Sequence, residues 1–471
     1  MSVRDPRPIS RRALIERTGL LLAGAAGTAF LAACGGGGAG TAPAKPAEPA
    51  KAGEPAKPAS APAAAAPPKA GAAGGELTFW TMETTEEPTR KMLTDAAEAF
   101  SKEKGIKVNV EFVTWGDAYS KYLATFEANT PPDAGQHSPI TPVTFQVANR
   151  TADVSDLVKD LGQDDFYPTV LADVQKDGKL YGVPWFSEIR VIMYWKDMVE
   201  EAGVKLPFKT WDDWLTALKA LTKGERYGLA MRGFKGWGQF SQTLAVANGG
   251  GQIDKEGKTV LNSPQTIEAV TWWTDLFLKH KVAPPGTPQH TQPDAQQLFV
   301  KRQVAMLWDN VTPALMAGRE QPALLDKFGV AFVPGPTADK PGWHFLGGSR
   351  LMVFKGKNEA NAREWVKFLQ SKEQLMALFK TNPIYVPARK SLAGDPMFND
   401  TEWRKNYLKA QETATYYSTA VAGARPEIQA GEAQRIYANI DEAVLGGTAT
   451  AKAACEEAQK KMDELRAQLK V

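Results

Sequence analysis

The pattern of apolar and polar positions between residues 76 and 140 switches repeatedly between two periods. Short apolar or alternating runs predict strands at residues 77–80, at residues 106–112 and directly after Asp133. Between the strands, apolar residues recur at every third or fourth position, which predicts amphipathic helices. The apolar faces of these helices carry Met92, Ala96 and Phe100, and then Tyr119, Leu123 and Phe126. Strands and helices in strict alternation predict a parallel sheet with helices on its faces.

Beyond residue 174 the pattern predicts two apolar strands that follow each other without a helix between them. They cover residues 180–185 and 189–195, and Gly182 and Pro184 lie within the first. A glycine, a proline and a short extended link suit a chain that crosses from one domain to another. Further strands are predicted at residues 304–308, 330–333 and 344–354, and helices after Trp211, after Pro264 and at residues 363–369.

A last apolar stripe predicts a C-terminal helix with one buried face. That face carries Cys455, Ala458, Met462, Leu465 and Leu469. A cysteine in such a stripe is expected to be a buried, inert thiol. The pattern as a whole predicts an α/β protein, and the part of the 471-residue chain after residue 75 is too long for one hydrophobic core. We therefore expect two lobes.

The first 33 residues follow a different pattern, an apolar run at residues 18–33 that comes after five arginines. A membrane-spanning helix needs roughly 20 apolar residues, so this run predicts a cleaved export signal. The Arg11-Arg12 pair, followed by Ala-Leu-Ile, resembles a twin-arginine signal, whose cargo is exported already folded. Small residues before Cys34 resemble the bacterial lipoprotein cleavage box, in which this cysteine becomes the lipid-modified first residue. We expect the protein to be anchored outside the cytoplasm through that lipid.

Residues 34–75 consist almost entirely of Ala, Pro, Gly and Lys. Such a segment cannot bury a core and predicts an extended, semi-rigid spacer. It would separate the lipid from the folded part of the chain.

Composition argues against a nucleic-acid partner, an intramolecular disulfide and a metal site. The formal net charge of +3 arises in the leader, where five arginines face only Asp5 and Glu16, so the remainder is near neutral and no nucleic-acid partner is expected. The two cysteines leave no intramolecular disulfide if one carries a lipid. The four histidines show no metal-ligand spacing, and we expect neither a metal nor a cofactor.

Several short segments, in their order along the chain, resemble the extracellular solute-binding proteins that serve bacterial ABC importers for sugars. The resemblance covers roughly residues 76–460, although Trp195 stands where the family usually has Asn. The segments are Gly182-Val183-Pro184, Tyr194-Trp195-Lys196-Asp197, Glu201-Ala202-Gly203, Thr210-Trp211-Asp212-Asp213, Gln303-Val304-Ala305-Met306, Val333-Pro334-Gly335, Gly347-Gly348 and Val386-Pro387-Ala388-Arg389.

This resemblance implies the type II periplasmic-binding-protein fold, in which two α/β lobes close over a ligand. Lobe 1 would comprise residues 76–186 with 335–383, and lobe 2 residues 187–334 with 384–471. Three hinge crossings would lie near residues 184–188, 329–334 and 382–387. The expected partners are a saccharide ligand and the permease subunits of an ABC transporter, and the expected state is a monomer that is not an enzyme.

Ligands of open α/β sheets bind beyond the carboxyl ends of the strands, which points to residues 80–83, 114–115 and 136–138. Saccharides present apolar faces and rings of hydroxyl groups, so their sites combine aromatic platforms with carboxylates and amides. Trp308-Asp309 and Glu188 also sit where the family places ligand contacts. The candidate ligand-binding residues are Trp80, Glu83, His137, Ser138, Trp185, Glu188, Trp237, Trp308, Asp309, Gly348, Ser349 and Tyr385.

Alternatives remain open at several of these positions. Glu188 could instead form a hinge salt bridge with Arg190, Glu83 could be a solvated carboxylate, and His137 could cap a helix. A secreted carbohydrate-active enzyme is a second functional hypothesis because carboxylates are abundant, although no recognisable catalytic pair and no GxSxG motif occur. A third hypothesis keeps the fold and changes the ligand to a non-sugar solute.

Overall fold

A computed structural model defines the fold and describes residues 75–83, 87–233, 236, 238–417, 419 and 423–469. The predicted leader with Arg11 and Arg12, the predicted lipid site Cys34, the spacer up to residue 74 and the candidate Trp237 lie outside the described residues.

The described residues form the following strands: β1 Glu76–Thr81, β2 Lys107–Phe112, β3 Ala134–His137, β4 Gln175–Lys176, β5 Lys179–Leu180, β6 Val183–Ser187, β7 Val191–Trp195, β8 Tyr227–Ala230, β9 Val304–Asp309, β10 Phe328–Ala331, β11 His344–Phe345, β12 Ser349–Val353, β13 Val386–Pro387 and β14 Ala414–Thr415. The α-helices are α1 Glu87–Lys104, α2 Trp115–Glu127, α3 Thr141–Val147, α4 Ser155–Asp160, α5 Pro168–Ala172, α6 Lys196–Glu201, α7 Trp211–Leu221, α8 Gln239–Ala247, α9 Pro264–Leu278, α10 Gln292–Val300, α11 Thr312–Glu320, α12 Glu359–Leu369, α13 Lys372–Thr381, α14 Glu402–Lys409, α15 Pro426–Ala433, α16 Ala438–Leu445 and α17 Ala451–Leu469.

The first lobe is built on a six-stranded sheet of order β13-β6-β12-β3-β1-β2. Strand β1 pairs in parallel with β2 on one side and β3 on the other, which confirms the predicted parallel strands. Strand β12 runs antiparallel between β3 and β6. Phe79 of β1 is fully buried and packs edge-on against Trp185 and Trp365, with ring centroids 6.4 and 5.7 Å away. This aromatic contact joins the sheet to helix α12.

The second lobe is built on a four-stranded sheet of order β10-β7-β9-β8. Strands β8 and β9 are parallel, whereas β7 runs antiparallel to both β9 and β10. The carboxyl ends of β8, β9 and β10 therefore lie at the same edge of the sheet as the amino end of β7. That edge receives the chain directly from the first lobe.

The first two crossings between the lobes lie side by side. The link from β6 to β7 runs through residues 188–190, and Ile189 forms a β-bridge with Leu346 on the return path. The Arg190 amide donates to the Phe345 carbonyl at 3.1 Å, and the Gly347 amide donates to the Glu188 carbonyl at 2.7 Å. Two antiparallel chain segments thus form one short hydrogen-bonded hinge.

The second crossing lies later in the chain than the predicted residues 329–334. Strand β10 belongs entirely to the second sheet, and Gly335 is still bridged to Thr210 of the second lobe. The chain enters the first lobe only at residues 346–348, so the start of the segment assigned to lobe 1, residues 335–345, packs with the second lobe. An apolar strand looks the same in sequence on either side of a hinge, which explains the difference.

The third crossing also follows its predicted position at residues 382–387. Strand β13 still pairs with β6 of the first sheet, and the Ser391 hydroxyl donates to Asp165 of the first lobe at 2.6 Å. Helix α14 packs on β10 of the second lobe. The chain therefore crosses between Ser391 and α14.

The C-terminal helices α15 to α17 complete the second lobe. Helix α17 presents the predicted apolar stripe to α9, α15 and α16, and both Cys455 and Met462 are fully buried. Helix α15 also contacts α3 of the first lobe. Within the part of the chain that the structure describes, no helix is both long and apolar enough to cross a membrane.

Gly348→Ala should destabilise the hinge. Gly348 has a left-handed φ of 90°, and a Cβ there would lie 2.3 Å from the Phe186 carbonyl oxygen. Strain of this kind costs about 1–3 kcal/mol of unfolding free energy, measurable by urea denaturation. Gly356→Ala is the matched control, because a Cβ at Gly356 meets nothing within 4 Å. Equal stability of the two variants would contradict this account of the hinge.

Candidate functional site

The two sheets meet at a cleft whose walls are strand ends. The first lobe contributes the carboxyl ends of β1 and β3, and the second lobe contributes those of β8, β9 and β10. The paired crossings at residues 188–190 and 346–348 form the floor between them. Side chains placed at these strand ends can therefore contact one ligand from both lobes.

In the first lobe, the amide of Gln136 organises a buried polar network. Its Nε2 atom donates to Glu83 Oε1 and to Ser349 Oγ, each at 2.7 Å. Its Oε1 atom accepts from the Thr81 hydroxyl at 2.5 Å. Three strand ends, those of β1, β3 and β12, are held together by this one side chain.

Glu83 is buried and has partners on both carboxylate oxygens. The Tyr385 hydroxyl donates to Oε2 at 2.6 Å, and the Tyr385 ring stacks on Phe186 at 3.8 Å. Burial raises the pKa of Glu83 above its ordinary value, although the hydrogen bonds from Tyr385 and Gln136 oppose this. Glu83 is thus not the solvated carboxylate of the alternative prediction. Its hydrogen bonds connect the end of β1 to the segment that leads into β13.

His137 and Trp115 provide an aromatic surface at the ends of β3 and β2. Trp115 is 42% exposed, and its ring lies edge-on to the buried His137 ring with centroids 5.6 Å apart. Burial lowers the pKa of His137 to about 3, so the imidazole is uncharged at neutral pH. His137 Nδ1 accepts from the Ser138 amide at 2.8 Å, and Nε2 has no hydrogen-bond partner among the described residues.

Three of the tryptophans expected to bind ligand are instead core residues. Trp80 packs against Tyr122 at 5.0 Å, and Trp185 packs against Phe79. Trp308 is 1% exposed and is enclosed by Phe240, Trp214 and Trp273, with ring centroids 4.7 to 5.8 Å away. All six residues of β9 are buried, so the sequence of this strand shows no alternation of apolar and polar residues. Without that alternation, the sequence does not indicate on which face of the sheet Trp308 lies.

In the second lobe, Arg190 is the centre of an ionic cluster. It pairs with Glu188 and, through Nε, with Asp309 Oδ1 at 3.4 Å. Asn310 Nδ2 donates to Glu188 Oε1 at 2.8 Å, and Gln292 Nε2 donates to Asp309 at 3.1 Å. Glu188 therefore forms the hinge salt bridge that was the alternative to a ligand contact. Both carboxylates thus have an ionic partner within the protein, although the single charge of Arg190 balances only one of the two.

The strand-end rule would also have indicated Arg232, but β8 was not recognised as a strand. Arg232 directly follows this strand and is 7% exposed. Its Nη2 atom donates to Gln239 Oε1 at 3.1 Å, and the guanidinium lies over the Phe240 ring at 4.7 Å. Burial lowers the pKa of Arg232 to about 10, which leaves it charged. With Asp441 it lines a narrow recess of about 10 Å³, which has room for roughly one water molecule.

Helix α15 supplies a second group of residues that strand-end reasoning missed. Gln429 Oε1 accepts from the Thr141 and Ser138 hydroxyls of the first lobe at 3.0 and 3.2 Å. Gln429 Nε2 donates to Glu432 at 3.3 Å, and the Tyr416 hydroxyl donates to Glu432 Oε1 at 2.5 Å. Burial raises the pKa of Glu432 to about 7. These bonds connect the lobes on one side of the cleft.

The predicted site residues thus separate into groups. Glu83, Ser349 and Tyr385 share the Gln136 network, with Gly348 next to it on the hinge; Glu188 and Asp309 share the Arg190 cluster. His137 and Ser138 lie beside α15. Among the described residues there is no group of three or more His, Cys, Asp or Glu side chains arranged to hold a metal ion.

Two α/β lobes joined by three crossings, with strand ends converging on a hinge cleft, define a clamshell-type ligand-binding protein. The family described as bacterial extracellular solute-binding protein matches residues 83–376, and the chain belongs to this family. The family consists of binding proteins, which confirms that interpretation over the secreted enzyme.

Relatives agree with the fold and the family. The diacetylchitobiose binding protein DasA of Streptomyces coelicolor is 30% identical over 335 residues, covering 69% of this chain and 76% of the relative. An ABC transporter solute-binding protein of Agrobacterium radiobacter K84 in complex with ribitol has 25% identity and a TM-score of 0.71, covering 83% of this chain and 99% of that one. Maltose-bound MalE3 of T. maritima, at 22% identity and a TM-score of 0.71, covers 83% and 100% and shows the same fold.

Glu432→Gln should change how stability depends on pH. With a pKa of about 7 in the folded state against an ordinary 4.5, Glu432 holds more protons folded than unfolded between these values. The free energy of unfolding therefore falls as pH rises through this window. The variant cannot titrate at this position, so its free energy of unfolding should fall by less over the same window. Urea denaturation between pH 4.5 and 7.5 measures the difference. The control Glu320→Gln, at an exposed position, should show the same dependence of unfolding free energy on pH as the parent. If the curve of Glu432→Gln were parallel to that of the parent, the raised pKa of Glu432 would be refuted.

Proposed function

We propose that this protein is the solute receptor of a bacterial ABC importer and captures an uncharged saccharide or polyol between its lobes for delivery to permease subunits. The observation that carries the proposal is the exposed ring of Trp115 beside the neutral His137 at the cleft. An exposed aromatic face is the surface on which the CH groups of a sugar ring pack. Relatives named for diacetylchitobiose and mannitol binding support the ligand class.

The electrostatics of the cleft support an uncharged ligand. Arg190 and the nearby Arg232 together balance the charges of Glu188 and Asp309, and hydrogen bonds from Tyr385 and Gln136 already satisfy Glu83. A charged ligand would have to displace one of these partners and would leave a buried ion uncompensated, which is costly. Hydroxyl groups can instead add to the network as both donors and acceptors.

Closure around the ligand follows from the hinge. Residues 188–190 and 346–348 are short extended links, so small changes in their φ and ψ angles can rotate one lobe relative to the other. A ligand that contacts both walls has a higher affinity for the closed state and shifts the population toward it. The bonds from Gln429 to Ser138 and Thr141 are contacts that closure makes and opening breaks.

The N-terminal part completes the proposal. Residues 1–33 direct export, with Arg11 and Arg12 as the twin-arginine pair, and Cys34 becomes the lipidated first residue of the mature protein. Each buried lipid CH₂ adds about 0.8 kcal/mol of membrane affinity, so several acyl chains hold the receptor at the membrane. The spacer at residues 34–75 then lets a monomeric receptor reach its permease.

Trp115→Ala should weaken saccharide binding about tenfold, which corresponds to the loss of about 1.4 kcal/mol of ring contact. Trp115→Phe keeps an aromatic face and should retain most of the affinity. A thermal-shift screen with diacetylchitobiose, maltose, laminaribiose, mannitol and ribitol selects the ligand, and calorimetry on residues 76–471 measures both variants. Tight binding of a charged non-sugar, without a response to any saccharide or polyol, would overturn the proposed ligand class.

Cys34→Ser should release the full-length protein from the membrane fraction of the producing cells without changing ligand affinity. Cys455→Ala is the matched control: Cys455 is buried in α17, so its removal should leave the protein in the membrane fraction. Fractionation followed by immunoblotting measures both. If Cys34→Ser stayed membrane-bound, the lipid anchor would be wrong.

A further inference from the structure

Helix α15 is the part of the second lobe that lies against the first lobe beside the cleft. Gln429 Oε1 on this helix accepts from the Ser138 and Thr141 hydroxyls of the first lobe. The preceding residue, Ile428, is fully buried in one apolar cluster with Ile140 of the first lobe. The two lobes therefore meet here through both polar and apolar contacts. Opening of the cleft separates these contacts and exposes this face of α15 to water.

Glu432 lies one helical turn beyond Gln429, and its neighbours can satisfy it in both protonation states. Gln429 Nε2 donates to Glu432 Oε2 at 3.3 Å, and the Tyr416 hydroxyl oxygen lies 2.5 Å from Oε1. The same oxygen lies 3.1 Å from the Tyr417 hydroxyl. Tyr416 has one hydroxyl proton, so it donates to only one of these neighbours at a time. Ionised Glu432 accepts that proton, whereas protonated Glu432 donates to Tyr416, which then donates to Tyr417.

The titratable groups around Glu432 do not pair its charge with a cation. They are Tyr119 from α2, His137 through Ser138 at the end of β3, Tyr416 and Tyr417 from the segment after β14, and Asp173 beyond Tyr416. Burial raises the pKa of Tyr119 and lowers the pKa of His137, so both are uncharged at neutral pH. The charged residues nearby have other partners, which are Arg350 for Asp173, Glu442 for Arg435 and Glu427 for Arg466.

Part of the burial of Glu432 comes from the first lobe. Glu432 lies close enough to Tyr119 of α2 for its charge to add to the raised pKa of that tyrosine, and α3 packs against α15. Both α2 and α3 belong to the first lobe, so they move away when the cleft opens, and water then solvates the carboxylate. The pKa of Glu432 is about 7 when the lobes are in contact, and opening lowers it towards the ordinary 4.5.

We propose that Glu432 links lobe closure to pH: its protonated form favours the closed state, and its carboxylate favours the open state. The proposal rests on the proposed function, in which closure retains the ligand. Because closing takes up protons, affinity for the ligand decreases as pH rises through the interval between the open-state and closed-state pKa values. The receptor therefore holds its ligand more tightly in acidic than in alkaline surroundings.

The test measures affinity as a function of pH by calorimetry on residues 76–471. The probe is the tightest binder among diacetylchitobiose, maltose, laminaribiose, mannitol and ribitol, which are uncharged, so only the protein titrates. We expect affinity to fall about tenfold between pH 5 and pH 8, which corresponds to a difference of about one pKa unit between the open and closed states. Glu432→Gln cannot titrate at this position and should keep its affinity within about twofold over the same range. Tyr416→Phe removes the hydrogen bond that lowers the pKa of Glu432, so the fall in affinity should move to higher pH.

Asp441→Asn is the matched control. Asp441 is also buried, and burial raises its pKa to about 7, but its partner Ser241 lies in the same lobe at 2.8 Å. Opening of the cleft leaves this pair intact, so the variant should keep the pH dependence of the parent. Melting temperatures show whether each variant is folded.

Small-angle X-ray scattering of the ligand-free protein tests the link without any ligand. The parent should have a larger radius of gyration at pH 8 than at pH 5, and Glu432→Gln should not. An affinity or a radius of gyration that does not change with pH in the parent, or the same change in Glu432→Gln, would overturn the proton link alone. No binding of any saccharide or polyol at any pH would overturn the proposed function instead.

Discussion

The mutual hydrogen bonding of the two hinge segments is the constraint on which the rest of the structure depends. The Arg190 and Gly347 amides each donate across this pair, at 3.1 and 2.7 Å, and Gly348 makes the close approach possible. Because both segments are also the ends of sheet strands, the hinge and the cleft are built from the same few residues. Glu188 lies on one of these segments and Ser349 directly follows the other, so the polar groups of the cleft move together with the hinge. A rotation of one lobe about the hinge therefore changes the distance between the Gln136 network and the Arg190 cluster.

Much of the fold could be predicted from local pattern. The β1 to β3 region and α17 combine strong periodicity with glycine or proline at their boundaries, and there the structure agrees with the prediction. Strand β8 was missed because Tyr227–Ala230 is four residues long and contains a glycine, which gives too short a run for a period to be visible. The predicted second crossing is misplaced because β10 is a short apolar run. The sequence of such a run does not indicate which sheet the strand joins.

The candidate site was less predictable because its partners are remote in sequence. The strand-end rule located Glu83, but its partner Tyr385 is 302 residues away. Gln429, which bonds to Ser138, is 291 residues away and lies on a helix, where that rule does not apply. Trp308 shows the opposite failure: its position next to Asp309 is correct for a cleft, yet its side chain points into the aromatic core. Only tertiary packing separates these two neighbours.

The exposure of Trp115 has a consequence for how the protein can be observed. The chain has 13 tryptophans, and among the described residues Trp115 is the one large hydrophobic side chain that is substantially exposed. Indoles such as Trp214, Trp273 and Trp308 are at most 1% exposed and are enclosed by other side chains of the second lobe. Among the described residues, Trp115 is therefore the indole whose surroundings change most directly when a ligand occupies this surface. The molecule carries its own optical reporter, located at the surface that we assign to the ligand.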